Sequence, residues 1–251
     1  MGEAPGFIIV GAQKCGTTSL FRYLSAQPGI FMPKMKEVHF FDQYYQRGYG
    51  WYLSQFQLSV SQTACISGEA TPLYMFHPHA MRRIRDHLPM CRIIALLRNP
   101  VDRAYSHYHH EVQLGNEHRS FENALIEGDS IVNREREKML LHSGYFSPQF
   151  QSYSYLSRGR YYEQLKNVFE LFPRDQILIM QSEKLFEQPE SVIVDILAFL
   201  RITGLSCIKF GKHFSRSYPP MAINTRNELI AYYLEHNEKL FSLLGNRFSW
   251  D

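Results

Sequence analysis

The chain reads as a three-layer α/β/α protein built on a central parallel sheet, with a phosphate-loop-like turn leading into its first helix. Three observations predict this. Residues 7–10 are an apolar, β-rich run, separated by a glycine-bounded loop from a pattern that places Leu20, Phe21 and Leu24 on one helical face. Residues 92–97 form a second nearly continuous apolar run, as a strand covered on both faces must. Such runs alternate along the chain with segments of helical periodicity, which is the pattern of β-α units.

The first loop is Gly11-Ala12-Gln13-Lys14-Cys15-Gly16, followed by Thr17-Thr18. Its glycines keep the spacing that lets backbone N–H groups turn inward, and the helix N-terminus adds partial positive charge, so the turn suits an anion. The triphosphate version follows its second glycine with lysine, then a Ser/Thr for Mg²⁺. Here Thr17 stands in the lysine position and the lysine has moved inside the loop as Lys14. The apparatus for a metal-bridged γ-phosphate is therefore incomplete. A tight turn that binds nothing is the alternative, and Lys14, Thr17 and Thr18 around one turn favour the anion loop over it. Cys15 is read as a small residue filling the loop rather than as a reactive thiol.

With 27 basic and 24 acidic residues the net charge is only +3, so no global field argues for nucleic acid and any anion site must be local. Cys15, Cys65, Cys91 and Cys207 contain no C-x-x-C pair, so neither a zinc site nor a disulfide scaffold is expected. No apolar run approaches the roughly 18 residues of a membrane helix, and residues 1–7 carry no signal-peptide core. Gly6 stands where a myristoylation motif needs Ser or Thr. A cytoplasmic protein without a membrane segment, folded as a single domain over residues 1–251, is the expectation.

Residues 34–42, KMKEVHFFD, concentrate charge beside aromatics. In an extended backbone Glu37 and His39 would share one face while Val38 and Phe40 anchor the other. A carboxylate beside an imidazole or ammonium is what a general base needs, and a solvated polar edge is the alternative. Residues 43–57 are rich in Tyr and Trp, suited either to stacking on an acceptor or to a wrapped surface segment. Residues 66–74 read as a strand ending in a polar turn, with Glu69 and Thr71 facing the same cleft as Glu37. Residues 78–88 suggest an amphipathic helix with Arg82, Arg83 and Arg85 on solvated faces.

The strand at residues 92–97 runs into Arg98-Asn99-Pro100, the position where parallel sheets bind ligands. Ser106 follows eight residues later, about two helical turns on. An arginine fork with a hydroxyl can grip a phosphate, whereas an ATPase would end this strand in a Mg²⁺-binding Asp. His107, His109 and His110 read as helix surface or cleft lining rather than as metal ligands. Residues 114–143 look like a polar insertion holding one short helix at 121–127. A helix at 157–172, a strand at 177–180, a helix at 189–200 and a basic loop at 212–221 follow. The last helix, 225–244, starts with a Thr225-x-x-Glu228 capping box.

In order, GAQKCGTTSL, KEVHFFD, RNPVDRAYSHY and RSYPPM resemble the sulfotransferases that use 3′-phosphoadenosine-5′-phosphosulfate (PAPS). The similarity is nearest to the carbohydrate branch of heparan sulfate N- and 3-O-sulfotransferases and their bacterial relatives, over residues 7 to about 244. The chain departs from that branch in lacking its cysteine-bounded loop and in reading Phe214-Ser215-Arg216 within the basic segment. The resemblance implies that Lys14 and the Gly11, Gln13, Cys15, Gly16, Thr17 and Thr18 turn hold the 5′-phosphosulfate. By the same resemblance Arg98 and Ser106 would hold the 3′-phosphate, Tyr161 would touch the nucleotide, and Lys212, Arg216 and Tyr218 would close over it. Glu37 matches the family's base, with His39 the other candidate, and Lys36 and Glu69 fall on the acceptor side. The implied activity is metal-free in-line sulfuryl transfer from PAPS to a hydroxyl or amine, on a sugar, a small metabolite or a carrier-bound chain. A P-loop kinase or ATPase and a non-catalytic anion-binding module are the rival readings.

Overall fold

The computed structural model describes residues 3–57, 64–203 and 218–250, which group into two compact units. Lys212 and Arg216 of the basic loop, and Cys207, lie outside the described residues. No described helix is long and apolar enough to cross a membrane.

The first unit takes in the described parts of residues 1–97 and 169–215. Its strands are β1 (Phe7–Gly11), β2 (Gly29–Phe31), β3 (Ala64–Ala70), β4 (Arg92–Leu97) and β5 (Ile177–Gln181). They form one parallel sheet in the order β2-β3-β1-β4-β5. β1 is buried along its whole length and β4 at every residue but Arg92, so the two apolar runs are central strands, as expected of a sheet covered on both faces. Helices α1 (Thr17–Ser25), α2 (Tyr49–Ser54) and α3 (Ala80–His87) follow β1, β2 and β3 in the chain. Because all strands are parallel, the segments that follow β1, β2 and β3 leave from one edge of the sheet. That edge therefore carries the glycine loop, the KEVHFFD segment and the end of β3.

The second unit takes in residues 98–168 and the described residues from 218 on. It holds α4 (Pro100–Leu114), α5 (Phe121–Leu141), α6 (Pro148–Ser152), most of α7 (Tyr161–Leu171) and a long C-terminal helix. Two further helices, α8 (Ser182–Glu187) and α9 (Pro189–Leu200), belong to the first unit, so the C-terminal helix is α10 (Ile223–Leu244). The Asn99 side chain caps α4 by accepting from the Val101 N–H at 3.0 Å, and Pro100 occupies the first turn. Val101, Ala104, Phe121, Ala124, Tyr155, Leu229 and Tyr233 build this unit's core.

Several local expectations need correction. Residues 121–141 form one 21-residue helix rather than a short one inside a polar insertion. Phe121, Ala124, Leu125, Gly128, Val132 and Met139 supply a buried stripe that the surrounding charges obscure. Residues 157–172 are a 3₁₀ turn, Ser157–Gly159, followed by α7. The turn brings Gly159 against Tyr233, whose hydroxyl lies 2.6 Å from where a Cβ would stand. The capping box is absent: α10 begins at Ile223, and Thr225 donates its hydroxyl to Glu122 at 2.8 Å instead. Arg83 is buried rather than solvated, donating to the Phe41 carbonyl at 2.8 Å, because the irregular segment before α2 leaves that carbonyl without a strand or helix partner.

Glu69, near the end of β3, is fully buried and collects three hydroxyls: Tyr52 at 2.7 Å, Thr71 at 2.8 Å and Tyr74 at 3.3 Å. Burial pushes its carboxyl up, the hydroxyl donors pull it back, the Asp42 charge adds to the rise, and the result is about 7. Folding therefore favours the protonated carboxyl. Its contribution to stability is complete below the ordinary carboxylate range and is lost as pH rises through about 7. We expect Glu69→Gln to flatten the fall in unfolding free energy between about pH 4.5 and 7, measured by urea titration. Tyr52→Phe should lower stability by about 1–3 kcal/mol, since it strips a donor from a buried carboxyl.

Candidate active site

The loop after β1 is shaped by two left-handed residues, Lys14 (φ 68°) and Gly16 (φ 86°). Alternating backbone hand turns successive N–H groups toward one point, which is the geometry of an anion nest. Gly16 is needed for its φ; the Phe186 ring tip, 3.0 Å from where a Cβ would stand, belongs to an exposed side chain that can give way. Gly11 serves packing instead: a Cβ there would lie 2.8 Å from Met75 Cε. The loop is tied down by the Ala12 N–H donating to Leu96 O at 2.8 Å and by the Ser182 hydroxyl donating to Cys15 O at 2.8 Å. No side chain caps α1 and no acidic residue sits in its first turn, so the helix N-terminus presents only donors. Lys14, the nest and Thr17–Thr18 are thus a donor set that fits an oxyanion such as a phosphosulfate. Cys15 is wholly buried and fills the loop, as the small-residue reading expects.

The KEVHFFD segment is not extended. It is a succession of bends in which His39 takes a left-handed φ of 55°. Glu37 and His39 still meet, and Val38 and Phe40 are still buried, but the pairing comes from the bend rather than from strand alternation. A line of opposite charges results. Lys36 Nζ donates to Thr18 Oγ1 at 3.2 Å and lies 3.8 Å from Glu37 Oε1. Glu37 Oε2 is 3.1 Å from His39 Nε2, and His39 Nδ1 is 2.8 Å from Asp42 Oδ2.

Exposure grades along this line. The Glu37 side chain is 30% exposed, His39 15% and Asp42 0%. Burial opposes charge on His39, but hydrogen bonds and attraction from Asp42 and Glu37 outweigh it and push the imidazole up to about 10. With both ring nitrogens donating to carboxylates, the imidazolium has no lone pair to offer a substrate. Glu37 keeps the accessible oxygen. Lys36 moves the other way: burial lowers its pKa, only partly countered by Glu37.

The support of this segment was not visible in the sequence. The Tyr74 hydroxyl accepts from the Phe40 N–H at 2.9 Å, and Thr71 Oγ1 from the His39 N–H at 3.4 Å, while both hydroxyls donate to Glu69. Glu69, expected beside the acceptor, has no exposed surface and lies instead beneath the KEVHFFD segment, reached through Thr71 and Tyr74. Asp42 was within reach of sequence reasoning, three residues after His39 in a charged motif. Tyr74, Arg83 and Ser182 gave no such signal. The aromatic stretch is partly core: Tyr52 is buried, stacking on Phe40 at 4.8 Å and meeting Phe41 edge-on at 4.9 Å.

In the second unit Tyr161 is buried and donates to the Arg98 carbonyl at 3.0 Å, so it fixes the backbone of Arg98. Ser106 is 7% exposed on α4. His109 stacks on Tyr218 at 4.4 Å with the rings 7° from parallel, and Tyr105 donates to Pro219 O at 2.9 Å, joining the described end of the RSYPPM motif to α4. His107 is buried against Tyr155 and lies 3.5 Å from Glu111, so it is neither surface nor lining. Among the described residues no three His, Cys, Asp or Glu side chains gather as a metal site would require.

A family model described as "Sulfotransferase domain" matches residues 4–216. The membrane-associated sulfotransferase kil1 of Dictyostelium discoideum is 28% identical, over 98% of this chain and 66% of its own length. The bifunctional heparan sulfate N-deacetylase/N-sulfotransferase 4 of Mus musculus is 29% identical, over 96% of this chain and 30% of its own. The chain thus spans from under a third to about two thirds of these relatives. The crystal structure of a sulfotransferase from Alicyclobacillus acidocaldarius superposes with a TM-score of 0.77 at 31% identity, over 98% of both chains. With most of its length inside the family model and its fold matched end to end, the chain belongs to the sulfotransferase family.

Proposed function

We propose that residues 1–251 act as one sulfotransferase domain. It moves the sulfuryl group of PAPS to a hydroxyl or amine, without a metal. The observation that carries this is the continuous line Thr18–Lys36–Glu37–His39–Asp42, which couples the anion loop to an accessible carboxylate through contacts of 2.8–3.8 Å. Family membership supports PAPS as donor substrate. The relative named for heparan sulfate supports a carbohydrate among the acceptor classes, beside small metabolites.

In the proposed reaction the acceptor atom attacks sulfur and gives its proton to Glu37, while the bond from sulfur to the bridging phosphate oxygen breaks. Negative charge grows on that phosphate. Lys14 and the loop N–H groups, already oriented, stabilise it where it develops. The His39 imidazolium, backed by Asp42, holds Glu37 Oε2 at 3.1 Å and so orients the carboxylate. Arg98 and Ser106 are assigned the 3′-phosphate, with Tyr161 acting through the Arg98 backbone. Tyr218, with Lys212 and Arg216, is assigned to closure over the nucleotide.

The test is transfer of radiolabelled sulfate from PAPS to a panel of saccharide and small hydroxylated acceptors, with chelator present. We expect Lys14→Ala to lower kcat by about 10²–10³-fold and Glu37→Gln by about 10²–10⁴-fold. Arg98→Ala should chiefly raise the donor KM, by about ten- to a hundredfold, the value of a charge-assisted hydrogen bond. Near-normal turnover in Glu37→Gln with chemistry rate-limiting would remove the base assignment. A further expectation concerns pH. Against burial, the imidazole of His39 is pushed up to about 10 by Asp42 and Glu37, so its loss of charge should set the alkaline limit of the profile. Asp42→Asn removes one of the two stabilising carboxylates, so the alkaline limb of the kcat profile should move to lower pH. An unmoved limb would show that the imidazolium does not matter.

A further inference from the structure

After α10 the chain folds back and is held by several contacts at once. Gly245, with a left-handed φ of 68°, closes the helix and donates its N–H to the Phe241 carbonyl at 2.9 Å. Arg247 takes the Glu238 carboxylate with two bonds of 2.6 and 2.8 Å, and its guanidinium carbon lies 5.1 Å from the Phe241 ring centre. Phe248 and Trp250 complete an aromatic group with Phe241, the ring centres 5.1–6.1 Å apart.

Contacts with α10 account for Arg247 and Phe248. Trp250 goes further and meets Tyr161, the first residue of α7, with ring centres 5.8 Å apart. Its indole N–H is buried and has no hydrogen-bond partner among the described residues. A buried donor without an acceptor works against folding, and phenylalanine would remove that cost. The position thus uses the size of the indole, not its polarity.

The Tyr161 hydroxyl, in turn, donates to the Arg98 carbonyl at 3.0 Å. Arg98 lies between the end of β4 and the Asn99 cap of α4, outside both elements. The hydroxyl therefore helps to fix the backbone from which the Arg98 guanidinium springs, and Trp250 backs the ring that carries the hydroxyl. All of these residues belong to the second unit. An arginine fork grips a phosphate only at a defined angle, so a small tilt at its base loosens the grip.

We propose that Trp250 is a positioning residue for the 3′-phosphate of the donor, acting through Tyr161 on the backbone of Arg98. The proposal rests on the sulfotransferase reading above, which assigns that phosphate to Arg98.

The test compares calorimetric titrations of adenosine 3′,5′-bisphosphate and 5′-AMP into the full chain, with chelator present, for the unaltered protein and for Trp250→Ala, Trp250→Phe and Tyr161→Phe. The ratio of the two affinities isolates the 3′-phosphate, so a general loss of structure, which weakens both ligands, leaves it unmoved. We expect the unaltered chain to prefer the bisphosphate. Trp250→Ala should reduce that preference about fivefold or more, through the bisphosphate alone. In turnover the same variant should raise the donor KM with kcat nearly level, as loss of uniform binding does. Trp250→Phe removes the orphaned N–H, so Tm should hold or rise while the preference still falls; this variant decides the matter if Trp250→Ala fails to fold. In the Tyr161→Phe background it should change the preference no further, because the hydroxyl that carries the effect is gone. An unchanged ratio, an equal loss for both nucleotides, or an effect that persists in the Tyr161→Phe background overturns the role of Trp250 and leaves the assignment of Arg98 standing. No preference in the unaltered chain overturns both.

Discussion

A carboxyl group with no exposed surface cannot stand without partners, and two of the three hydroxyls that satisfy Glu69 also shape the KEVHFFD segment. Tyr74 and Thr71 each donate a hydrogen bond to Glu69 and accept one from a backbone N–H of residues 39–40. Residues 34–42 have neither helix nor strand to fix them. Their conformation is therefore inherited from the end of β3, through bonds that only a buried acceptor keeps aligned. Arg83 completes the support by taking the Phe41 carbonyl. Rigid strands thus place a flexible-looking loop, which is how parallel sheets generally present chemistry at their carboxyl edge.

On that support the charges alternate: ammonium, carboxylate, imidazolium, carboxylate. Half-buried ion pairs contribute little net stability, because desolvation offsets much of their attraction. Their value here is in specifying protonation states. Asp42, wholly buried, holds His39 charged. His39 in turn faces Glu37 with a donor, so the more exposed of the two carboxylates is held by a fixed hydrogen bond. Lys36 joins this line to the first turn of α1, where Thr18 accepts its hydrogen bond. The glycine loop's helix and the KEVHFFD segment are thereby coupled within one unit.

The strands and the glycine loop were legible because their signals are local. An apolar run of four or five residues, bounded by glycine or by Arg98-Asn99-Pro100, has few other uses. Glu37 and His39 were legible as a pair, though for a different backbone reason than the bend that joins them. Helix α5 was not, because its stripe is diluted by charges on a long solvated face. Thr225 looked like a cap since sequence spacing cannot tell a first-turn hydroxyl that bonds its own helix from one that bonds Glu122 on another. The functions of Tyr74, Ser182 and Arg83 depend on contacts 34, 167 and 42 residues away, which no local pattern encodes. Glu69 was noticed for its charge, but its burial reverses the role that charge suggested.

The central claim is that this sheet edge serves a metal-free nucleotide bearing a 3′-phosphate. Calorimetric titration with adenosine 3′,5′-bisphosphate in chelator, set against 5′-AMP and Mg·ATP, tests it most directly. The account predicts tight binding of the bisphosphate alone and its loss in Arg98→Ala. Preference for Mg·ATP, or indifference to the 3′-phosphate, would contradict it.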